Sequence, residues 1–349
     1  MATEPATETT LQGPAAWEQQ AERERVHGLG PWKLGLRRLR RNKVALLFGL
    51  IFVLLVASCA AAPLWADHVA KTGPSSGHLT DTIRVDGETK NVVGLDGVPI
   101  GPQYFKADGK FFLGADGNGR DIMVRLLYGG RNSLFIGLTA AFITVLLSIA
   151  LGVVSGYFRG ATDAVIRTVL DIMWSFPVII LGTAMGVALA LGGLKIGPLE
   201  IAGDSLAIPI LIIGLVYVPY MARPVRGQVL SLREKEFIEA SRAQGAGPIR
   251  IMFTEVLPNL ASTIVVFFTL LIANAILLES ALSFLGAGVQ PPNPSWGTMI
   301  DEGVDRVATA PHLAIVPGIM LVLTVLSLNV FGDGVRDALD PRAKVRLEH

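Results

Sequence analysis

Apolar and polar positions are arranged along this chain in long blocks rather than in short periods. Six blocks are apolar over about the length of a spanning helix: 44–62, 133–158, 166–191, 206–222, 260–285 and 313–331. A hydrocarbon core about 30 Å thick takes about 20 apolar residues in helical form. Within it each backbone polar group must be paired inside its own segment, so each block predicts one membrane-crossing helix. The fourth block is the shortest and contains Pro209 and Pro219; it counts as a span because its two flanking links must lie on opposite sides for the charge pattern to be consistent.

Between the blocks the chain divides readily. Residues 1–30 are rich in Ala, Glu and Thr with few large apolar side chains and read as a disordered tail. Residues 31–65 hold a basic segment and the first span. Residues 66–132 form the longest polar stretch, with four Asp-Gly pairs beginning at Asp86, Asp96, Asp108 and Asp116. The run Thr82-Ile-Arg-Val, Asp86-Gly87, Glu88-Thr-Lys-Asn-Val-Val predicts a β-hairpin there. Residues 133–333 carry spans two to six and include a polar link at 223–257. Residues 334–349 form a tail whose last three residues, Leu347-Glu348-His349, read as an expression-tag scar.

Charge supplies the orientation. Lys33, Arg37, Arg38, Arg40, Arg41 and Lys43 precede the first span. Arg159 and Arg167 lie in the second link, Arg223, Arg226, Arg233, Lys235, Arg242 and Arg250 in the fourth, and Arg336, Arg342, Lys344 and Arg346 in the tail. These segments share one side, and an excess of Lys and Arg marks the cytoplasmic one. Lys195 and Arg306 are the only basic residues in the third and fifth links. Both termini are therefore expected in the cytoplasm, with 66–132 outside. The basic run before the first span also suits a surface of lipid headgroups.

Composition agrees: 51% of residues are hydrophobic and 17% charged, against about 25% charged in soluble domains. A net charge of +1 gives no reason to expect nucleic acid. One cysteine, Cys59, excludes an intrachain disulfide and reads as a buried apolar residue. No Gly-x-x-x-x-Gly-Lys-Ser/Thr loop is present, so ATP chemistry would belong to a partner. The five histidines are scattered and offer no metal cluster. Asp116-Gly-Asn-Gly-Arg-Asp121 begins like a calcium loop, yet Arg120 and Asp121 stand where an oxygen ligand and a glycine are needed. No cofactor is expected in this chain.

The polar link at 223–257 carries the strongest signal. It contains Phe237-Ile-Glu-Ala-Ser-Arg-Ala-Gln-Gly245, followed by Leu257-Pro258-Asn259. Gly245 suits a left-handed helix end, Pro248 a helix start, and Pro258 the first turn of the next span. The Glu-Ala-Ser triplet with its glycine resembles the coupling loop of ABC-importer permeases. Three further stretches extend the likeness to about residues 32–342. They are Leu113-Gly-Ala-Asp-Gly-Asn-Gly-Arg-Asp121 with Arg125-Leu-Leu-Tyr-Gly-Gly-Arg-Asn-Ser-Leu134, Glu279-Ser-Ala-Leu-Ser-Phe-Leu-Gly-Ala-Gly288 with Pro291-Pro-Asn-Pro-Ser-Trp-Gly297, and Asn329-Val-Phe-Gly-Asp-Gly-Val-Arg-Asp-Ala-Leu-Asp-Pro-Arg342. Together they resemble the C-type permease subunit of dipeptide, oligopeptide and nickel importers. Ser241 stands where that family usually has Ala, Glu255 where it usually has His or Ile, and the stretch 65–112 is longer than the family leads one to expect.

The resemblance implies an all-α membrane protein with six transmembrane helices in the type I importer fold, with a small external insertion holding the hairpin. It implies a cell-membrane permease without catalytic residues, paired with a homologous permease subunit. Two ATP-binding subunits, which hold ATP and Mg, and an external substrate-binding protein complete the complex. Coupling to the ATPases falls on Phe237, Ile238, Glu239, Ala240, Ser241 and Gly245, within the lever 234–257. Dipeptides, longer peptides and metal chelates all remain open as substrates; peptide is the family default. Two rival readings are a secondary transporter and a membrane scaffold without ATPase partners. Two carboxylates lie inside spans, where an ionisable group is costly. Asp171 is expected to pair with Arg167 four residues away. Glu279 falls near the external mouth, where it either lines the path or pairs with a partner subunit.

Overall fold

The computed structural model describes residues 31–107 and 109–339. Expectations on the first tail, Asp108 and the last ten residues, tag scar included, lie outside these. Helix α1 (Pro31–Arg41) leads through Asn42 into α2 (Lys43–Ala60). The Asn42 side chain caps α2 by accepting from Ala45 N at 3.1 Å. A short α3 (Ala62–Leu64) continues as a π turn, Trp65–Ala70. Strands β1 (Thr82–Val85) and β2 (Glu88–Asn91) pair antiparallel, with Val85 opposite Glu88. The two residues between them, Asp86 and Gly87, both take positive φ, 53° and 86°. This is the two-residue turn that matches strand twist, at the predicted place.

The remaining elements are α4 (Ile122–Phe158), α5 (Gly160–Trp174), α6 (Val178–Gly192), the small hairpin β3 (Leu194–Ile196) and β4 (Leu199–Ile201), α7 (Ala207–Val216), α8 (Val218–Leu232), α9 (Glu236–Ala243), α10 (Pro248–Ile251) with a π turn at Met252–Val256, α11 (Leu257–Phe284), α12 (Trp296–Val304) and α13 (His312–Leu339). Five continuous helical runs are long and apolar enough to cross a membrane, or six if the bent pair α5–α6 counts as one. They alternate in direction. One end of the bundle therefore gathers α1, α9 and the end of α13, and is called the basic end below. The other gathers residues 61–121 and α12, and is called the loop end.

Helix α4 is the spine, packed against α2, α7, α8 and α11. Its approach to α8 is close: a Cβ on Gly152 or Gly156 would come within 2.9 Å of the carbonyls of Ala222 or Arg226. Small residues give such backbone proximity where lipid offers no hydrophobic drive between helices. The Thr144 and Ser148 hydroxyls of α4 donate to Gly214 O (2.9 Å) and Val218 O (3.0 Å). These carbonyls flank the junction of α7 and α8. Helix α13 closes the bundle against α1, α2, α11 and α12.

Four expectations need correction. The third block is not one straight helix but two, α5 and α6, bent by 85° at Ser175–Pro177 and counting together as one broken span. Pro177 brings no N–H and pushes the residue before it out of helical geometry. The second span begins at Ile122 rather than Ser133. Asp121 caps it, accepting from Val124 N at 3.1 Å and from Phe111 N at 2.7 Å, and Arg125 is accommodated by acids from elsewhere in the chain. Pro258 lies in the first turn of α11, as expected, but that helix does not start afresh: it continues a run from Pro248 through the π turn. The Asn259 side chain donates to the nearby Glu255 carbonyl at 2.6 Å. The tail expected from 334 onward is helical up to Leu339. Helix α12, opened by a reciprocal capping box between Ser295 and Thr298, was not anticipated.

Candidate functional site

At the basic end, α8 stops at Leu232, and the chain turns through Arg233 and Glu234 into α9. Lys235 is extended, and Glu236 and Glu239 occupy the first turn while Arg242 occupies the last. That order complements the helix dipole. The helix ends as its sequence leads one to expect. Gly245 takes φ 83°, Gly245 N bonds Arg242 O at 2.9 Å and Ala246 N bonds Ser241 O at 3.0 Å. This is the Schellman pair of bonds, which uses a glycine in the left-handed region. A Cβ on Gly245 would touch nothing within 4 Å, so backbone conformation alone selects glycine there.

The six residues assigned to coupling do not share one face. Ile238 is fully buried in the cluster that holds Tyr157, Val229, Ile251, Val256 and Leu260. It anchors α9 to the ends of α4, α8 and α11. Phe237, Glu239, Ala240 and Gly245 are exposed, and Ser241 is half-buried. Ile249 and Phe253, just beyond, are exposed as well, the latter by 66%. The result is a stub helix fastened on one side and presenting an apolar and acidic surface on the other.

Residues that sequence reasoning did not single out make the frame. Arg233 donates to Tyr157 O at 2.6 Å, and the guanidinium carbons of Arg233 and Arg242 lie 5.7 and 5.6 Å from the Tyr157 ring centroid. Two cations from either side of α9's first turn thus meet the last turn of α4. Arg226 grips Asp163 of α5 with Nε and Nη2, both at 2.6 Å, and Ser155 donates to the same carboxylate at 2.5 Å. Asp171 is exposed and pairs with Arg223 at 2.9 Å, correcting the expected Arg167. Arg223 also lies over Trp174, at the α5–α6 bend. The signal was in the sequence: Arg223, Arg226 and Arg233 fall on one helical face directly after an apolar block.

Glu279 sits elsewhere. It is 0% exposed, with Ser283 Oγ donating to Oε1 at 2.7 Å and Ser280 Oγ 3.4 Å from Oε2. The hydroxyls of Ser133 and Ser295 also face it. Its surroundings within this subunit are α4, α11 and Ser295, the residue that caps α12. Among the described residues, no group of three His, Cys, Asp or Glu is placed to hold a metal.

The bundle is that of a type I ABC-importer permease. It superposes on a chain of the MetNI methionine ABC transporter, solved in inward-facing conformations in native and selenomethionine-soaked crystals. In both the TM-score is 0.51 at 21% identity, covering 63% of this chain and 98% of that one. Residues 148–345 match the binding-protein-dependent transport system inner membrane component, and residues 30–76 the N-terminal transmembrane domain of oligopeptide transport permease C. Over 314 residues the chain is 34% identical to the glutathione transport system permease protein GsiD of Pectobacterium atrosepticum, covering 90% of this chain and 92% of that protein. Over 317 residues it is 35% identical to the dipeptide transport system permease protein DppC of Alkalihalophilus pseudofirmus, covering 90% and 91%. The chain belongs to the family of binding-protein-dependent transport system inner membrane components.

Proposed function

We propose that this permease forms half of the translocation path of an ATP-driven importer for di- or oligopeptides, and that α9 is the lever on which the ATPase acts. The observation that carries this reading is the stub helix itself. Ile238 fixes α9 to the ends of three long helices, so a push on its exposed face is delivered to α4, α8 and α11 together. Phe237, Glu239 and Ala240, joined by Ile249 and Phe253, offer the surface for a groove on an ATP-binding subunit. The arginine-rich links support a cytoplasmic basic end, and with it cytoplasmic termini. Peptide as substrate is supported by the named relatives, since glutathione and dipeptides are both peptides. A homologous permease subunit, two ATP-binding subunits and an external binding protein complete the complex. ATP and Mg reside on the ATPases, and this subunit does no bond chemistry.

The test is co-purification from solubilised membranes of wild type and Gly245→Asp. A side chain at φ 83° strains the end of α9 without clashing with any neighbour. The variant is expected to insert and to retain its partner permease while losing the ATPases and ATP-dependent peptide uptake. Wild-type ATPase recovery and uptake would remove α9 as the coupling element.

A further inference from the structure

At the loop end, α2 and α4 diverge around a crevice of about 500 Å³. Its walls are Val56 and Cys59 of α2, and Tyr128, Arg131, Leu134 and Phe135 of α4. Ala60 and Asn132 complete the lining, and the Asn132 amide donates to Pro294 O at 2.7 Å. The walls are otherwise apolar or aromatic apart from the Arg131 guanidinium, which is exposed and lies 5.4 Å from the centroid of the Tyr128 ring. Among the described residues it has no carboxylate partner, whereas Arg120, Arg125, Arg159, Arg223 and Arg226 each have one.

The depth of this cation follows from helix geometry. At 1.5 Å per residue the apolar run of α4 from Leu134 to Phe158 rises about 36 Å, somewhat more than a hydrocarbon core. Through α2 and α3 the run from Lys43 to Leu64 rises about 32 Å. Arg131 and the residues after Leu64 therefore reach the same boundary between hydrocarbon and headgroups. Trp65 begins the next turn there and packs with Tyr128 on the small cluster of Ala66, Ala70 and Val124. Tryptophan and tyrosine favour this level. Below it the crevice opens onto the apolar flank of α4, where Phe135, Leu138 and Phe142 are exposed. The site thus has a lone cation at headgroup height, an aromatic beside it and an apolar slot beneath.

We propose that this crevice binds an anionic phospholipid, with the headgroup phosphate on Arg131 and an acyl chain along Val56, Leu134 and Phe135. Guanidinium forms paired hydrogen bonds to phosphate oxygens, and the aliphatic stem of arginine lies along apolar surface while its head reaches polar surroundings. The inference rests on the spans alone and stands whether or not α9 couples to an ATPase.

The test is native mass spectrometry of the full chain in detergent, titrated with phosphatidylglycerol, with phosphatidylcholine, and with glycerol phosphate as a headgroup without chains. Wild type is expected to retain one phosphatidylglycerol in preference to phosphatidylcholine and to ignore glycerol phosphate. Arg131→Gln is expected to weaken phosphatidylglycerol retention about tenfold and Arg131→Lys less, both melting as wild type because the side chain is exposed. Equal retention by Arg131→Gln, or glycerol phosphate competing as well as the lipid, overturns the proposal. So does a Phe135→Cys label in bilayers that is shielded from lipid-borne quenchers by a partner subunit.

Discussion

The two ends of the bundle both use arginine–carboxylate pairs, but to opposite effect. At the loop end Arg125, 2% exposed, reaches Glu302 with Nη2 at 2.8 Å and lies 3.4 Å from Asp116 through Nε. Arg120 bridges the same two acids, both at 2.7 Å. Arg306 adds a bond to Gly97 O at 2.8 Å. This network ties the 66–121 segment, the first turn of α4 and α12 into one block. At the basic end the pairs Arg159–Glu234 and Arg223–Asp171 lie largely in solvent, with Asp163–Arg226 deeper. Water can replace those bonds at small cost, whereas nothing replaces them around Arg125. The loop end is built to hold one shape, and the basic end to carry α9, the proposed lever, on supports that can exchange.

The largest effect should come from breaking the loop-end block. Arg125→Met removes the shared cation and leaves Glu302 and Asp116 with Arg120 alone. Losing one member of a buried ion network costs about 3–5 kcal/mol. The expected outcome is poor yield and a sharply lowered melting temperature in detergent; a variant that melts with wild type would mean that the block is not rigid. Asp163→Asn tests the basic end. Hydrogen bonds to charged groups contribute about 1.5–3 kcal/mol, and the value here should fall at or below the lower bound because Arg226 stays in reach of water. Melting should drop modestly while ATP-dependent uptake drops more, since Asp163 joins α5 to the helix that leads into α9. A loss of stability as large as that of Arg125→Met would erase the contrast between the ends.

What the sequence made legible was local. The Asp86-Gly87 turn and the glycine stop of α9 each depend on residues within a few positions, and the structure has both where the pattern placed them; the apolar blocks gave the spans but not their ends or breaks. The exposed face of α9 was legible in part: the triplet marked the helix, but its amphipathic division, Ile238 inward and Phe237 outward, needed the packing of α4 and α11. What failed was non-local or hidden by composition. Pro177 lies in a block apolar enough to pass as one straight helix, yet a single missing N–H turns the chain through 85°. Asp171 had a basic residue one turn away and chose Arg223 on another helix, where Trp174 adds a cation–π contact. Counting along the helix gave the depth of Glu279, near the loop end, but not its serine partners, which come from α4, α11 and the residue capping α12.

The smallest effect should come from Arg159→Ala. The Arg159–Glu234 pair is short, 2.6 Å, but its side chains are 44% and 69% exposed. Pairs of that kind contribute about 0–1 kcal/mol because solvent screens the attraction and two long side chains lose freedom in making it. Melting should be unchanged within error. Glu234 nevertheless lies in the turn between α8 and α9, so the variant separates two views of the basic end. If the lever is held by Ile238 and by the cations on Tyr157, uptake will also be unchanged. If uptake falls while stability does not, the exposed pair sets the position of α9, and the exchangeable supports of this end extend to the surface of the turn itself.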